Sequence, residues 1–263
     1  MQSYEVFAIR YGRHDRLASA NFIGGDPHDG PMPLDYYVWA IVGAGKTYVV
    51  DTGFNPESAR KRGRQALRAP AEGLRAIGID PGEVADVIVS HMHYDHAGNF
   101  DLFANATYHI QEREMAYCTG RCMCHPALRN SFEADDVAAM VRRVFAGRAR
   151  FHDGAGEIAP GLTVHAIGGH TMGLQSVRVM TRRGFVVLAS DATHFYAHRE
   201  QGRLFPTIYN VGDTLEGYGK LVKLASSSAH IIPGHDPLVM QRYPAAKPGL
   251  EDIAVRLDAE PKA

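Results

Sequence analysis

Three imidazoles and a carboxylate crowd six consecutive positions, His91-Met92-His93-Tyr94-Asp95-His96. Neutral imidazole nitrogen and carboxylate oxygen are the ligand set of zinc-like divalent ions. In extended backbone His91, His93 and Asp95 would share one side and His96 would turn away. On a loop, that divergence lets four ligands address two metal positions. A lone histidine is usually a satisfied surface or core residue, but this density of ligand types directly after a strand favours a metal site over a solvated polar loop. Further ligand-type residues stand at Asp51 in Asp51-Thr52-Gly53, His170 in Gly169-His170-Thr171, Asp191 after Ser190, and His235 in Pro233-Gly234-His235-Asp236.

Most of these residues follow a short apolar run. Asp86 to Ser90 reads as a buried strand feeding the central motif, and Thr47 to Val50 leads to Asp51. The runs 162–167, 185–189 and 229–232 lead to His170, Asp191 and His235 in the same way. Loops at one edge of a packed sheet can converge although they lie far apart in sequence. Residues 4–9, 36–42, 107–110 and 175–180 also read as strands, and 36–42 with 47–50 forms a hairpin across Gly43-Ala44-Gly45-Lys46. Residues 55–67 are basic and helix-compatible, and 71–77 form a short helix ending at Gly78. A helical insertion spans about 111–147, its best helix carrying Val137, Met140, Val141, Val144 and Phe145 on one stripe. Asp213, with Glu216 three residues on, resembles a capping-box start. It opens a helix whose inner stripe is Leu215, Tyr218, Leu221, Val222 and Ala225. Residues 253–257 fit a strand or a helical turn. Residues 11–35, rich in Gly, Pro, Asp and Arg, form a flap loop over a site.

The chain of 263 residues suits one domain, and 45% apolar residues can bury a sizeable core. A formal charge of −1 excludes the electrostatics of nucleic-acid or anionic-membrane binding. There is no apolar run of membrane-spanning length and no signal-like start, so a cytoplasmic enzyme is expected. Cys118, Cys122 and Cys124, followed by His125, lack the paired spacing of a structural zinc site and are expected to be thiols. His14, His109 and His152, outside the motifs, are expected to be surface or core residues with hydrogen-bond partners.

The ordered series Asp51-Thr52-Gly53, H-x-H-x-D-H at 91–96, His170, Asp191 and His235 resembles the signature of the metallo-β-lactamase superfamily, and it runs through nearly the whole chain. The resemblance implies an α/β fold, a four-layer αββα sandwich of two mixed β-sheets flanked by helices, as a single domain. It implies that His91, His93 and His170 bind a first metal, that Asp95, His96 and His235 bind a second, and that Asp191 bridges them. It makes Asp51 a residue that orients ligating imidazoles. Two divalent ions are implied, zinc foremost, with Mn, Fe or Co able to serve. Their joint action on a water would give a bridging hydroxide that attacks an ester, amide or lactone carbonyl without a protein nucleophile.

Gly169-His170-Thr171-Met172-Gly173-Leu174-Gln175-Ser176 resembles the stretch G-H-T-x-G-x-Q-S of the N-acyl homoserine lactone hydrolases, the quorum-quenching lactonase branch. Met32-Pro33 resembles their entry region. Asp191 differs from the Cys of true β-lactamases, and His93 from the Glu of the flavin-linked di-iron branch. The branch carries a substrate-bonding Tyr three residues after the bridging Asp. Here His194 stands there, with Tyr196 two residues on, so His194 or Tyr196 is the expected catalytic donor beside Asp95. Arg13, Arg16, His28 and Asp29 make the flap polar. Arg13, His28 and Met32 are therefore expected to contact a small polar lactone or an acyl homoserine lactone. A glyoxalase II-like thioesterase and a mononuclear iron persulfide dioxygenase are the competing activities. A small-molecule ester is the expected partner, and the pattern leaves room for a homodimer.

Overall fold

The computed structural model describes residues 2–262. One sheet comprises β1 (Glu5–His14), β2 (Leu34–Gly43), β3 (Lys46–Val50), β4 (Gln65–Ala66), β5 (Asp86–Ile88), β6 (Thr107–Gln111), β7 (Ala149–His152) and, at the far edge, β13 (Ala254–Arg256). Its order is β13-β1-β2-β3-β5-β6-β7, with β4 paired to β1. The second sheet comprises β8 (Ala155–Ala159), β9 (Leu162–Ala166), β10 (Gln175–Thr181), β11 (Gly184–Ser190) and β12 (Ile231–Pro233), in the order β12-β11-β10-β9-β8. Both are mixed. β3, β5, β6 and β7 run parallel, as do β11 and β12, while the other neighbours run antiparallel.

Strand periodicity makes the layers. Along β1, Val6 and Ala8 point into a core between the sheets, meeting Trp39, Ile41, Val50, Val164, Val177 and Leu188. The alternate residues Phe7, Ile9 and Tyr11 face helices on the opposite side, with Val38, Val87 and Leu74. Val187, Ala189 and Ile231 on the outer face of the second sheet pack on Leu221 of the helix Val211–Leu224. Each such fully buried aliphatic side chain stabilises the fold by about 1.5–3 kcal/mol relative to exposure. The β2–β3 turn holds Ala44 and Gly45 at φ 53° and 69°, the paired positive dihedrals that suit the twist of a two-residue hairpin. Among the described residues no helix is long and apolar enough to cross a membrane.

Several boundaries differ from the sequence reading. β1 continues to His14 and β2 begins at Leu34, so the irregular flap is 15–33, with a 3-10 turn at Ala18–Asn21 and a bridge between Leu17 and Pro31. The basic helix is only Pro56–Arg62, ended by Gly63 in the left-handed region, and Gln65 and Ala66 then pair with β1. The segment after β6 is a crossover to the parallel strand β7, built of helices Glu112–Cys118, Pro126–Arg129 and Ala134–Phe145. A parallel pair needs such a long connection, and β7 escaped notice because Ala149 to His152 is short and half-polar. In the last helix of that crossover Met140 is buried, but Phe145 is 88% exposed. The helix assigned to Asp213 starts earlier. Asn210 is its N-cap, and its side chain accepts from the Asp213 N–H at 3.0 Å. Leu215 and Val222 consequently face solvent, while Thr214, Gly217, Tyr218 and Leu221 face inward. Residues 254–256 form the edge strand β13, and the last buried strand begins at Ile231 rather than Ala229.

Candidate metal centre

The ligand-type residues sit past the C-terminal ends of β3, β5, β9, β11 and β12, so both sheets deliver side chains to one end of the sandwich. The central motif is not one extended loop. His93 is extended and caps a one-turn helix, Tyr94–Ala97, whose rotation aims Asp95 and His96 elsewhere. Asp51 and Ser190 both adopt positive φ, 62° and 48°, which a β-carbon disfavours. Each ends a strand and turns the chain sharply at the site, a form of strain that clusters at functional positions. Gly234 is needed where its strand end passes Asp191, because a β-carbon there would lie 2.8 Å from Asp191 Oδ1.

Two ligand clusters share Asp191. His91, His93, His170 and Asp191 form one; Asp95, His96 and His235 form the other, and Asp191 reaches it too, while His194 also comes within ligand distance of Asp191 and His235. His93 Nδ1 lies 3.0 Å from His91 Nε2 and 2.9 Å from His170 Nε2. Ligand atoms placed tetrahedrally at zinc–nitrogen distances would sit roughly 3.3 Å apart, so these approaches suit a shared ion. Asp191 Oδ2 is 3.1 Å from His170 Nε2, and Asp191 Oδ1 is 2.9 Å from His235 Nε2 and 3.3 Å from His96 Nε2. His96 Nε2 and Asp191 Oδ1 are buried without a hydrogen-bond partner. Such orphans are costly unless something else occupies the space between them.

The electrostatics ask for a cation. Burial first, then the neighbouring imidazoles, push His91 and His93 well below the usual histidine range, so both keep a lone pair available. Burial likewise pushes His194 well down. Burial alone would raise Asp191, but His235, His194, His96 and His170 around it outweigh burial and hold it well below the carboxylate range. At His96 and His235 burial opposes the charged form, and the Asp191 carboxylate overrides it. His91 and His93 refuse protons, while His96 and His235 are drawn toward positive charge by an ionised Asp191; divalent metal ions satisfy both at once, and the donor set fits them.

Outer contacts fix ring orientation. Asp51 Oδ2 accepts from His96 Nδ1 at 2.7 Å and from Ser90 Oγ at 2.7 Å, while Asp51 Oδ1 accepts from the Ser90 N–H at 2.7 Å. The His235 Nδ1–H donates to the Asp35 carbonyl at 2.9 Å, turning Nε2 toward Asp191. Sequence reasoning missed Glu114. Its buried carboxylate accepts from Met92 N–H at 2.8 Å, Thr171 Oγ1–H at 2.6 Å and Gly173 N–H at 3.1 Å, tying the 91–93 loop to the loop after His170. Lying in the crossover helix, it carried no motif that could have exposed it.

A cavity of about 300 Å³ opens over the cluster. His93, Asp95, His170, Asp191, His194 and His235 line its floor, and His14, Arg16, Tyr36, Arg62, Arg64, Tyr94 and Phe205 are among its walls. His194 is inside, its ring stacked on Phe205 at 3.7 Å and its Nε2 3.0 Å from Asp191 Oδ2. Tyr196 is not. The short helix it begins turns its ring into the core between the sheets, with the Arg242 guanidinium 4.1 Å above it. Arg13, His28 and Met32 do not line the cavity either. Arg13 pairs outward with Asp15, and the His28 backbone joins an exposed turn with Asp26. Met32 spends its carbonyl on Asn21 and its N–H on Arg16. Strand alternation carries His14 inward where Arg13 points out, and Arg16 is the flap residue that reaches the site. Arg62 and Arg64 were legible only as basic residues. His109 and His152 hydrogen-bond to each other at 3.1 Å, and His109 to Asp86 at 3.0 Å. Cys118 is buried, which pushes its thiol up, and none of the cysteines joins a metal-competent group among the described residues.

Residues 32–247 match the Metallo-beta-lactamase superfamily. The N-acyl homoserine lactonase AttM of Azorhizobium caulinodans is 30% identical over 192 residues, 68% of each chain. The AttM lactonase of Rhizobium johnstonii is 29% identical over 177 residues, 66% of each chain. The N-acyl homoserine lactonase AiiB of Agrobacterium fabrum is 28% identical over 78% of this chain and 80% of its own. The chain thus spans about two thirds or more of these relatives. A quorum-quenching N-acyl homoserine lactone lactonase superposes with a TM-score of 0.74 at 22% identity, covering 90% of this chain and 94% of that one. The dizinc quorum-quenching lactonase AidC superposes with a TM-score of 0.70 at 15% identity, covering 90% and 89%. At those identities the superpositions speak for the fold, the αββα sandwich of two mixed sheets.

Proposed function

The chain belongs to the metallo-β-lactamase superfamily, and on that premise we propose that it is a metal-dependent hydrolase that opens a lactone ring. The observation that carries this reading is the pair of ligand clusters sharing Asp191 at the floor of a cavity, in a chain akin to N-acyl homoserine lactonases. His91, His93 and His170 would hold one ion, Asp95, His96 and His235 the other, with Asp191 on both; zinc is the ion we propose. When bound, the two ions would supply an activated water and polarise the ester carbonyl.

The chain's own groups do the rest. Asp51, Ser90 and the Asp35 carbonyl hold His96, His91 and His235 in the ring orientations that turn a nitrogen into the cluster. Glu114 keeps the two ligand loops at a fixed spacing. Hydrolysis adds water across the acyl carbon–oxygen bond of the ring: the acyl carbon gains the hydroxyl, and the departing alkyl oxygen gains a proton. His194, buried against Asp191 and Phe205, is the side chain we assign to the developing oxyanion, because Tyr196 points into the core. Removing such a donor commonly costs on the order of 10²–10³ in turnover. The test is a hydrolysis panel of lactones, thioesters and β-lactams on metal-loaded protein, with His194→Ala alongside. Lactones should be cleaved fastest, and the variant should lose turnover. Thioesters cleaved far faster than every lactone would overturn the reading.

A further inference from the structure

Ring opening needs little fixed positive charge beyond the metals, yet three arginines, Arg16, Arg62 and Arg64, line the cavity. Arg16 lies with its guanidinium 5.2 Å from the centre of the Phe205 ring, which itself covers His194. Arg64 donates from Nε to Tyr94 Oη at 2.9 Å, and from Nη1 to His14 Nε2 at 3.1 Å and to the Arg62 carbonyl at 2.5 Å, which leaves Nη2 for a ligand. Arg62, beside them, is paired with Glu133 at 2.7 Å, a carboxylate it shares with Lys61. Among the described residues neither Arg16 nor Arg64 forms an ion pair. Arg16 instead bonds the Ala20 carbonyl, and burial, with Arg64 adding to it, presses its pKa down. The carboxylates on the cavity floor, Asp95 and Asp191, belong to the ligand clusters.

Arg16, half-buried and without a counter-ion, is disfavoured in its charged form, which an anion would relieve; at Arg64 burial opposes the charge, but Tyr36, Tyr94 and Asp95 outweigh it, so this second guanidinium stays charged beside the first. A planar guanidinium offers paired donors matched to a carboxylate. A neutral acyl tail seated here would desolvate the guanidinium donors that Tyr94, His14 and the Ala20 carbonyl leave free, the situation by which polar sites reject apolar analogues. We propose that Arg16 and Arg64 form a seat for a carboxylate carried by the substrate, so that the lactone this site takes is a compact anionic ring rather than a neutral acyl homoserine lactone. This rests on the lactone-hydrolase reading of the same site.

The experiment compares a γ-lactone bearing a carboxymethyl group with its methyl ester, on metal-loaded protein. In parallel, calorimetry compares the carbocyclic ketones in which the ring oxygen is methylene, as acid and as primary amide; their rings cannot be opened by water. The acid should exceed the ester in kcat/KM, and the amide in affinity, by on the order of 10², as expected for a charge-assisted contact in a partly desolvated site. Arg16→Gln and Arg64→Gln should each shrink both ratios toward one, while Arg13→Gln, which removes the same charge outside the cavity, should not. If Arg64→Gln fails to fold, Arg16→Gln carries the comparison. Ratios near one in wild type, ratios unmoved by the arginine changes, or a decanoyl homoserine lactone cleaved faster than the anionic ring would overturn the seat. Absence of any lactone turnover would sink the lactonase reading instead, and the calorimetric ratio would still decide the seat.

Discussion

Asp191 is the residue on which both ligand clusters depend, so its removal should empty more of the site than the loss of any orienting group. Asp191→Asn keeps the shape but cannot supply two anionic oxygens to histidines on both sides. Asp51→Asn only loosens His96 and Ser90, and such orienting contacts typically cost about 10–100-fold in metal affinity or activity. We expect Asp191→Asn to lose more activity and more bound metal than Asp51→Asn, read by turnover and elemental analysis of the same preparations. Equal, mild losses would mean that Asp191 holds no metal. Glu114 gives a second test. It accepts three donors and offers none, so Glu114→Gln turns an amide N–H₂ toward a donor and slackens both ligand loops. Competition with a chromogenic chelator should show metal affinity weakened by about 10–100-fold. An unchanged affinity would make Glu114 merely a buried acid.

At the scale of elements, the loop that the sequence suggested as a flap is tied to the helix after His194. His198, on the helix Tyr196–Gln201, donates from Nε2 to the Asn21 carbonyl at 2.9 Å and accepts the Phe195 N–H at Nδ1. Burial lowers its pKa to about 4. The unfolded chain binds a proton near pH 6.5 and the folded chain resists it. This contribution is therefore intact above pH 6.5 and is lost as pH falls from 6.5 toward 4, by up to about 3 kcal/mol. In chelator-treated protein, the fall of Tm between pH 6.5 and 4 should be shallower for His198→Gln than for wild type; parallel curves would remove His198 as a source of acid sensitivity. The helix Val211–Leu224 offers a simpler check. Asn210→Ala deletes its cap and should cost about 1 kcal/mol, seen as a lowered Tm with metal content unchanged.

Across the whole molecule, the ligand-type residues divide between the sheets. His91, His93, Asp95 and His96 follow β5, whereas His170, Asp191 and His235 belong to loops of the second sheet. Ions held by both would therefore staple the sandwich at one end. A ligand bound only by the native state adds about 4 kcal/mol at a thousandfold excess over Kd. Chelation should lower Tm by several degrees, and readdition should restore it. The protein with Asp191→Asn should respond far less, and an equal response would place the stabilising metal elsewhere.

The sequence determined on its own the chemistry available at each strand end. Ligand type is a property of the residue, and apolar runs before Asp51, His91, His170, Asp191 and His235 are local signals that survive without coordinates. It likewise determined most strands, since alternation is written residue by residue. Tertiary structure decided what depends on direction and distance. It sent Tyr196 into the core and His194 into the cavity, two residues apart, because a helix starts between them. It turned Arg13 outward and brought His14, Arg16 and Arg64 together from β1, the flap and the chain beyond the first helix. It also made residues 112–145 the crossover to β7, and so placed Glu114 behind two ligand loops. No local pattern records such meetings, because each contact joins segments whose sequences are independent until the sheets pack.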